Sequence, residues 1–224
     1  MKPIIGIVHA TRNAIEPMNE ILAARLGQDA TILNFMDEAM LALTQVKGAT
    51  ATEVVRRMGN ILVSAAEAGA AVIVASCTSL APAVEMARGQ VHVPVIRVDV
   101  PLASEAASRF QKVSVVVTAE TAIAPFRALL ETTARAYGKT IESGFHFCPG
   151  AFEALSVGNE ALHDSIVLNA ITALTKEGTE AILLPQPSIA RVSKKVPDDL
   201  GIAVLSSVDA TVNQVAATLK SSGF

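Results

Sequence analysis

The chain has 224 residues, of which 51% are hydrophobic and only 17% are charged. Such a chain can bury enough apolar surface to offset the entropy of ordering itself, so we expect one large core or two lobes of roughly 110 residues. A net charge of −3 and an aromatic content of 4% without tryptophan provide no basic surface for phosphates and few rings for base stacking. Nucleic acid is therefore excluded as an expected partner.

Membrane spans and export signals are also not expected from the sequence. The longest uncharged apolar stretch, residues 68–84, is interrupted by Ser, Thr and Pro and is shorter than the ~20 residues that a membrane span needs. Residues 1–8 run into the polar segment 9–13 without the long apolar region or cleavage site of a secretory signal. We expect a cytoplasmic protein without membrane contact, whose two cysteines remain thiols.

Short β-branched runs alternate with amphipathic helical patterns along the chain, which is typical of β-α units around a mostly parallel sheet. The predicted strands form two sets. The first set lies at residues 4–8, 31–35, 71–75 and 93–98, and the second at residues 113–117, 140–145, 181–184 and 202–205.

Two of the predicted helices have recognisable ends or faces. Thr50 and Glu53 form a capping-box pattern before an apolar stripe that ends at Gly69. A second helix is predicted over about residues 159–177, and the side chains expected to be buried are Leu162, Ile166, Leu168, Ile171 and Leu174. On this helix His163 and Asp164 are interpreted as part of a solvated face.

The two sets of strands are copies of one plan. Residues 71–81 align without a gap with residues 180–190, which places Cys77 opposite Gln186. We therefore predict an α/β protein of two similar, pseudo-symmetric lobes, each a mostly parallel four-stranded sheet flanked by helices. Lobe one is expected to comprise residues 1–100 and 207–224, and lobe two residues 101–206. Because ligands of open α/β sheets bind beyond the carboxyl ends of the strands, the cleft between the lobes is the expected active site.

Cys77 is the first candidate for chemistry. It ends an apolar strand and precedes a helix predicted over residues 78–88, a position where backbone N–H groups favour a thiolate. Thr78 and Ser79 add hydroxyl groups suited to a carboxylate or an enolate oxygen. The alternative is that Cys77 packs as a small buried hydrophobe.

Gln186 occupies the turn that matches Cys77. A glutamine side chain donates and accepts hydrogen bonds but does not act as a base. Contact with a ligand and satisfaction of the backbone at a Pro-rich turn both explain it.

Several segments resemble the aspartate/glutamate racemase superfamily, which includes the Asp/Glu/hydantoin racemases. The first is the cysteine motif VASCTSLAP at residues 74–82, followed by VIRVD at 95–99. The similarity extends over nearly the whole chain in the same two-lobe order, and its other segments are residues 35–38, 117–121, 150–155 and 183–191.

The resemblance implies an enzyme without a cofactor in which two cysteines, one per lobe, flank an acidic α-carbon. One thiolate removes the proton and the opposite thiol returns one from the other face. In this sequence the first cysteine maps to Cys77, but the second maps to Gln186, and Cys148 does not match the second motif. The resemblance further implies a small-molecule carboxylate substrate and a homodimer. The residues carried over as anion binders are Thr78, Ser79, Thr118, Thr121 and Ser188.

Two further residues are candidates for acid–base work. Glu120 follows the first strand of lobe two, where a desolvated carboxylate would act as the second base, although an exposed loop acid is the alternative. His9 lies in the matching loop of lobe one and is a candidate general acid or carboxylate anchor. The 4 histidines and 2 cysteines of the chain show no metal-ligand spacing, so no metal is expected.

Three functions remain open from the sequence. The leading one is a racemase or isomerase that transfers protons at the α-carbon of an amino acid or related carboxylate, with Cys77 as the thiol acid or base. The second is a lyase, similar to arylmalonate decarboxylases, in which one thiol protonates the carbanion that decarboxylation leaves. The third is a non-catalytic protein that binds a small carboxylate.

Overall fold

The computed structural model describes residues 2–197 and 200–224. Contacts within the chain divide it into two units. Unit one comprises the chain up to Val98 together with Thr211–Phe224, and unit two is Asp99–Ala210. No helix in the described part of the chain is long and apolar enough to cross a membrane.

Unit one contains four strands and the helices that connect them. In chain order these elements are β1 (Ile4–His9), α1 (Ile15–Leu26), β2 (Thr31–Met36), α2 (Ala39–Lys47), α3 (Thr52–Glu67), β3 (Ala70–Ala75), α4 (Ala81–Ala87) and β4 (Val95–Arg97). The last helix of the chain, α10 (Ser207–Ser221), begins in unit two and ends in unit one.

Unit two repeats this plan and has in addition a helix before its first strand. Its elements are α5 (Asp99–Arg109), β5 (Lys112–Val117), α6 (Ile123–Ala136), β6 (Glu142–Phe147), α7 (Ala151–Ser156), α8 (Glu160–Leu174), β7 (Ala181–Leu184), α9 (Pro187–Ser193) and β8 (Ala203–Ser206).

Both sheets have the same topology. The strand order is β2-β1-β3-β4 in unit one and β6-β5-β7-β8 in unit two, and every neighbouring pair is parallel. The predicted fold of two four-stranded parallel sheets flanked by helices is therefore confirmed. Because the strands of one sheet all run in the same direction, their carboxyl ends lie at one edge of that sheet. This edge is where open α/β sheets bind ligands.

The central strands are apolar along nearly their whole length because helices cover both faces of a parallel sheet. In unit two, one face packs around Phe126 of α6, and the other packs around Ile171 of α8. In unit one, Gly6 lets α3 approach β1 closely, since an added Cβ would lie only 3.2 Å from the Cβ of Ala65.

Several predicted boundaries differ from the structure. Helix α3 begins at Thr52 with Ala51 as its N-cap, so the capping box of Thr50 does not form, and Glu53 instead accepts a hydrogen bond from Lys47. Strand β4 is shorter than predicted because Pro94, directly before it, has no N–H to donate to a ladder. Strand β6 lies two residues further along the chain than predicted.

The predicted buried face of α8 is partly wrong. Leu162 is 49% exposed, whereas His163 and Asp164 are buried. The physical reason is that Asp164 has cationic partners outside its own helix, Arg191 and Lys195, which make the burial of a carboxylate tolerable. The interpretation of His163 and Asp164 as a solvated face is therefore wrong.

Candidate active site

In unit one, Cys77 lies at the carboxyl edge of the sheet. It follows β3 by two residues and is the N-cap of a 3₁₀ turn, Thr78–Leu80, that continues into α4. Its side chain is partly exposed, whereas Thr78 and Ser79 are buried. A partly exposed thiol beside two hydroxyl groups is an arrangement that can exchange a proton with a small molecule.

His9 ends β1 at the same edge and is completely buried. Its Nε2 lies 2.8 Å from Oδ1 of Asn34, and its Nδ1 lies 2.9 Å from Oγ of Ser76. Burial lowers the pKa of His9, an effect that the hydrogen bond with Asn34 partly opposes. Oδ1 of Asn34 only accepts, so Nε2 of the neutral ring donates to it. The Ser76 hydroxyl lies beside Nδ1 and donates to the carbonyl oxygen of Val8 at 3.1 Å.

This network joins His9 to the segment directly before Cys77 and keeps the imidazole away from the protein surface. Ser76 is the residue directly before Cys77, and it is buried as well. Both ring nitrogens of His9 thus have partners within unit one, Asn34 and Ser76. Its direct contact with a carboxylate stays a prediction.

The loop after β2 carries two acidic residues at the same edge. Asp37 accepts hydrogen bonds from the backbone N–H of Ala39 at 3.0 Å and from Arg57 at 2.6 Å. Glu38 accepts two hydrogen bonds from Arg12, each at 3.0 Å. Both carboxylates therefore serve to join neighbouring elements of unit one.

In unit two, the equivalent edge is built around an amide. Gln186 follows β7 by two residues and is the N-cap of α9, the same relation that Cys77 has to β3. Its Oε1 accepts the backbone N–H of Thr118 at 2.7 Å. Because an N–H only donates, this bond fixes the orientation of the amide and leaves its NH₂ group as the donor directed elsewhere.

Thr118, which follows β5, is buried, and its Oγ1 has no hydrogen-bond partner among the described residues. An unpaired buried hydroxyl is uncommon in folded proteins and indicates a group that meets a ligand or water. The amide of Gln186 and the hydroxyl of Thr118 thus form a small polar set without an acid or base.

The other predicted residues of unit two lie near these two in sequence but differ in burial. Glu120 is exposed and begins a 3₁₀ turn, Glu120–Ala122, while Thr121 is half-buried. Ser188 is buried in the first turn of α9.

Cys148 follows β6 and is buried among apolar side chains of unit two. Burial raises the pKa of its thiol, so Cys148 is less able than an exposed thiol to form the reactive thiolate. The two cysteines therefore differ in exposure, and the assignment of Cys77 to chemistry stays a prediction.

Sequence reasoning missed a buried pair in α8. His163 Nδ1 lies 2.7 Å from Oδ1 of Asp164, and the carboxylate also meets Lys195 and Arg191. The signal that would have found His163 is its spacing from Val167, Ile171 and Leu174, which places it on the buried side of the helix.

Metal-ligating side chains do not cluster at either edge. Within residues 2–197 and 200–224, no group of three or more His, Cys, Asp or Glu side chains could hold a metal ion.

The class of protein is therefore an α/β protein built as two four-stranded parallel units. A thiol follows the third strand of one unit, and an amide follows the third strand of the other. The chain matches the Asp/Glu/Hydantoin racemase family over residues 4–215 and belongs to that family. Comparison with curated proteins finds no significant match.

Solved structures of the same fold include several racemases. The aspartate racemase of Picrophilus torridus superposes with a TM-score of 0.74 at 15% identity, covering 99% of this chain and 94% of that one. The allantoin racemase of Klebsiella pneumoniae gives 0.72 at 21% identity, with 97% and 88% covered. A glutamate racemase of Bacillus anthracis gives 0.72 at 17% identity, with 100% and 84% covered. At these identities the likeness concerns the fold.

Proposed function

We propose that the protein is a cofactor-independent racemase-type isomerase that moves a proton at the α-carbon of an amino acid or related small carboxylate. Cys77 is the thiol that exchanges this proton. The observation that carries the proposal is a partly exposed thiol at the carboxyl edge of β3 in a chain of the racemase family. The racemases with the same fold act on aspartate, glutamate and allantoin by their names, which defines the class of substrates to test first.

The proposed step in unit one is the transfer of a proton from the α-carbon to Cys77. The thiolate of Cys77 takes the α-proton, and the electron pair of the broken C–H bond moves into the carboxylate as an enediolate. Hydroxyl groups of Thr78 and Ser79 donate hydrogen bonds to the substrate oxygens, where negative charge increases. Ser76, held by His9, fixes the strand end that carries the thiol.

In unit two, the proposal assigns binding to four residues and proton transfer to one. Thr118, Thr121 and Ser188 bind the substrate carboxylate, and the NH₂ group of Gln186 orients it by donating a hydrogen bond. Because Gln186 cannot return a proton, inversion requires another acid or base. Glu120 is the candidate: it relays a proton from water to the opposite face of the carbon, and the Cys77 thiol then gives its proton to the hydroxide that remains, which restores the thiolate.

A lyase is the second candidate, and the polar set of Gln186 and Thr118 favours it. Decarboxylation of a malonate-type substrate breaks the C–C bond, releases carbon dioxide and leaves the electron pair as an enediolate. Cys77 then protonates the carbon once, and water reprotonates the thiolate. This reaction needs hydrogen-bond donors in unit two but no second acid or base. The NH₂ group of Gln186 and the hydroxyl of Thr118 are such donors.

The test is incubation in deuterated water with aspartate, glutamate, allantoin and a series of substituted malonates. Proton NMR reports loss of the α-proton signal, chiral chromatography reports inversion, and headspace analysis reports carbon dioxide. Exchange or inversion supports the isomerase, and carbon dioxide release with single deuterium incorporation supports the lyase. Tight binding of a carboxylate without any exchange would contradict both and favour a binding protein.

Cys77→Ser is the decisive variant, with Cys148→Ser as the matched control. General acid–base groups contribute roughly 10²- to 10⁴-fold to rate, so we expect Cys77→Ser to lower the exchange rate by at least about 100-fold. Cys148→Ser places a hydroxyl among apolar side chains, so it is expected to lower stability and to keep the exchange rate. Equal losses of exchange in both variants would overturn the assignment of Cys77.

A further inference from the structure

The first turn of α8 carries a buried acid–imidazole pair that the proposed reaction does not use. His163 lies on the buried side of α8, four residues before Val167, and its side chain is 0% exposed. Helix α8 connects β6 to β7, and both strands run in the same direction. The first turn of α8 therefore lies at the carboxyl edge of the sheet, the edge at which Gln186 follows β7.

Asp164 is the centre of a charged cluster between α8 and α9. Its Oδ1 accepts a hydrogen bond from Nδ1 of His163 at 2.7 Å. Its Oδ2 accepts one from Lys195 and lies 3.4 Å from Nη2 of Arg191. Arg191 also donates to Glu160 in the first residue of α8 at 2.5 Å.

The electrostatics of this cluster keep the carboxylate ionised although it is 4% exposed. Burial alone raises the pKa of Asp164, but the hydrogen bonds from Lys195 and His163 and the charge of Arg191 outweigh burial and hold that pKa below its ordinary value. An ionised, buried carboxylate with partners on another helix is a strong geometric restraint, because each partner must be kept to avoid leaving the charge unpaired.

His163 orients this carboxylate. A carboxylate oxygen only accepts, so Nδ1 carries the hydrogen of the imidazole. Nε2 has no hydrogen-bond partner in the described part of the chain. All the hydrogen bonding found for the ring is therefore directed to Asp164, whose other oxygen is left to the cations.

Helix α9 depends on such restraints. It has 7 residues, which is about 10 Å of helix and too short to be stable in isolation. Its apolar side packs through Ile189 and Val192 into the core of unit two. A further attachment is the pairing of Arg191, and of Lys195 just beyond the end of the helix, with Asp164. Gln186 is its N-cap, so the orientation of α9 determines where the Gln186 amide lies.

We propose that Asp164, oriented by His163, is a positioning residue that holds α9 through Arg191 and Lys195 and so sets the Gln186 amide against Thr118. This role rests on the proposed function in so far as Gln186 and Ser188 bind substrate there. It deepens that proposal by assigning the placement of the substrate-binding amide to a charge cluster on the neighbouring helix.

The test uses the full-length protein labelled with ¹⁵N and needs no substrate. Asp164→Asn keeps the shape of the side chain and removes its charge. The backbone N–H of Thr118 donates a hydrogen bond to Gln186. We expect hydrogen exchange at this amide to become at least tenfold faster than in the wild-type chain. The side-chain NH₂ signals of Gln186, identified by their absence in Gln186→Ala, are expected to shift. The amide of Val115, in the central strand β5, reports global opening in the same spectrum.

Two controls separate positioning from general stability. Glu142→Gln removes an exposed carboxylate of unit two that pairs with Lys112, and it is expected to leave both signals unchanged. Lys195→Met is expected to reproduce the effect of Asp164→Asn, and Lys195→Arg to restore the wild-type spectrum. The Lys195 pair also serves as the test if Asp164→Asn does not fold.

The outcome that overturns the proposal is clear. If Thr118 and Val115 exchange faster by the same factor and the Gln186 signals do not shift, Asp164 supports only the stability of unit two. Because no substrate is used, a failure of the racemase or lyase assay leaves this result intact. A change at Gln186 without any α-proton exchange would therefore keep the positioning role and reject only the proposed reaction.

Discussion

The carboxyl edges of the two sheets have the same topology but different chemistry. In unit one, the residue two positions after the third strand is a partly exposed thiol, and a buried imidazole behind it binds the preceding serine. In unit two, the same position holds an amide whose carbonyl is occupied by Thr118. Two sheets of the same strand order therefore present side chains of different chemical character at the same position.

The supporting interactions differ as well. His9 in unit one is neutral and joined to Asn34 and Ser76 on neighbouring strands or strand ends. Unit two uses a charged cluster around Asp164 that joins two helices.

The largest effect is expected from giving unit two a thiol. Gln186→Cys places a proton donor and acceptor in the position equivalent to Cys77. If the amide is what prevents two-thiol chemistry, the rate at which the opposite enantiomer forms should rise by about 100-fold or more, measured by chiral chromatography on a substrate found in deuterated water.

Gln186→Ser is the control for this gain, since a serine hydroxyl is small and polar but is not an acid or base near neutral pH. Equal rates of inversion in Gln186→Cys and Gln186→Ser would contradict the proposed difference between the two edges. In that case the side chain at position 186 does not limit the reaction.

A smaller effect concerns stability. Gln186→Ala removes the acceptor of the buried Thr118 N–H, and an unpaired buried donor costs about 1–3 kcal/mol. We expect the free energy of unfolding in urea to fall by that amount. Gln111→Ala, at an exposed position of the same unit, is the matched control and should change stability by no more than about 0.5 kcal/mol. Equal effects would mean that the bond from Thr118 to Gln186 contributes nothing.

The imidazole of unit one predicts a pH dependence. Because burial lowers the pKa of His9 in the folded protein, the unfolded chain binds more protons between that pKa and about 6.5. This part of the stability is present above about pH 6.5 and is lost as the pH falls through the folded pKa, with a slope of at most about 1.4 kcal/mol per pH unit.

Urea unfolding between pH 7.5 and 5 measures this dependence, and His9→Gln is expected to flatten the curve relative to the wild-type chain. His92→Gln, which removes an exposed histidine, controls for the substitution itself. If His9→Gln and the wild-type chain lose stability in parallel, His9 is not the group that couples folding to acid.

Local sequence patterns were sufficient to predict the strands of both sheets but not the hydrogen-bond networks of the buried polar residues. The strands β3 and β7 were found because both faces of a parallel strand are buried, which leaves a continuous apolar run. The sequence of β6, ESGFHF, is half polar, and its boundaries were misplaced by two residues. The internal alignment placed Cys77 and Gln186 in equivalent positions because each follows a continuous apolar strand at the same distance.

The pairings of the buried polar groups were missed because the partners are distant in the chain. Asp164 is separated from its cation partner Lys195 by 31 residues, and Thr118 from Gln186 by 68. Helical periodicity assigns a carboxylate to solvent unless a partner is known, and pairs at such separations become visible only when the fold brings the elements together.

The smallest effect distinguishes the two thiols directly. Burial raises the pKa of Cys148, and its apolar surroundings also restrict access of a reagent. At pH 7 and 25 °C we expect native Cys148 to be alkylated by iodoacetamide severalfold more slowly than the partly exposed Cys77, as followed by peptide mass spectrometry. In urea the two rates should converge, which controls for intrinsic differences between the peptides. A faster reaction at Cys148 in the native protein would place the reactive thiol in unit two and reverse the division of chemistry between the two edges.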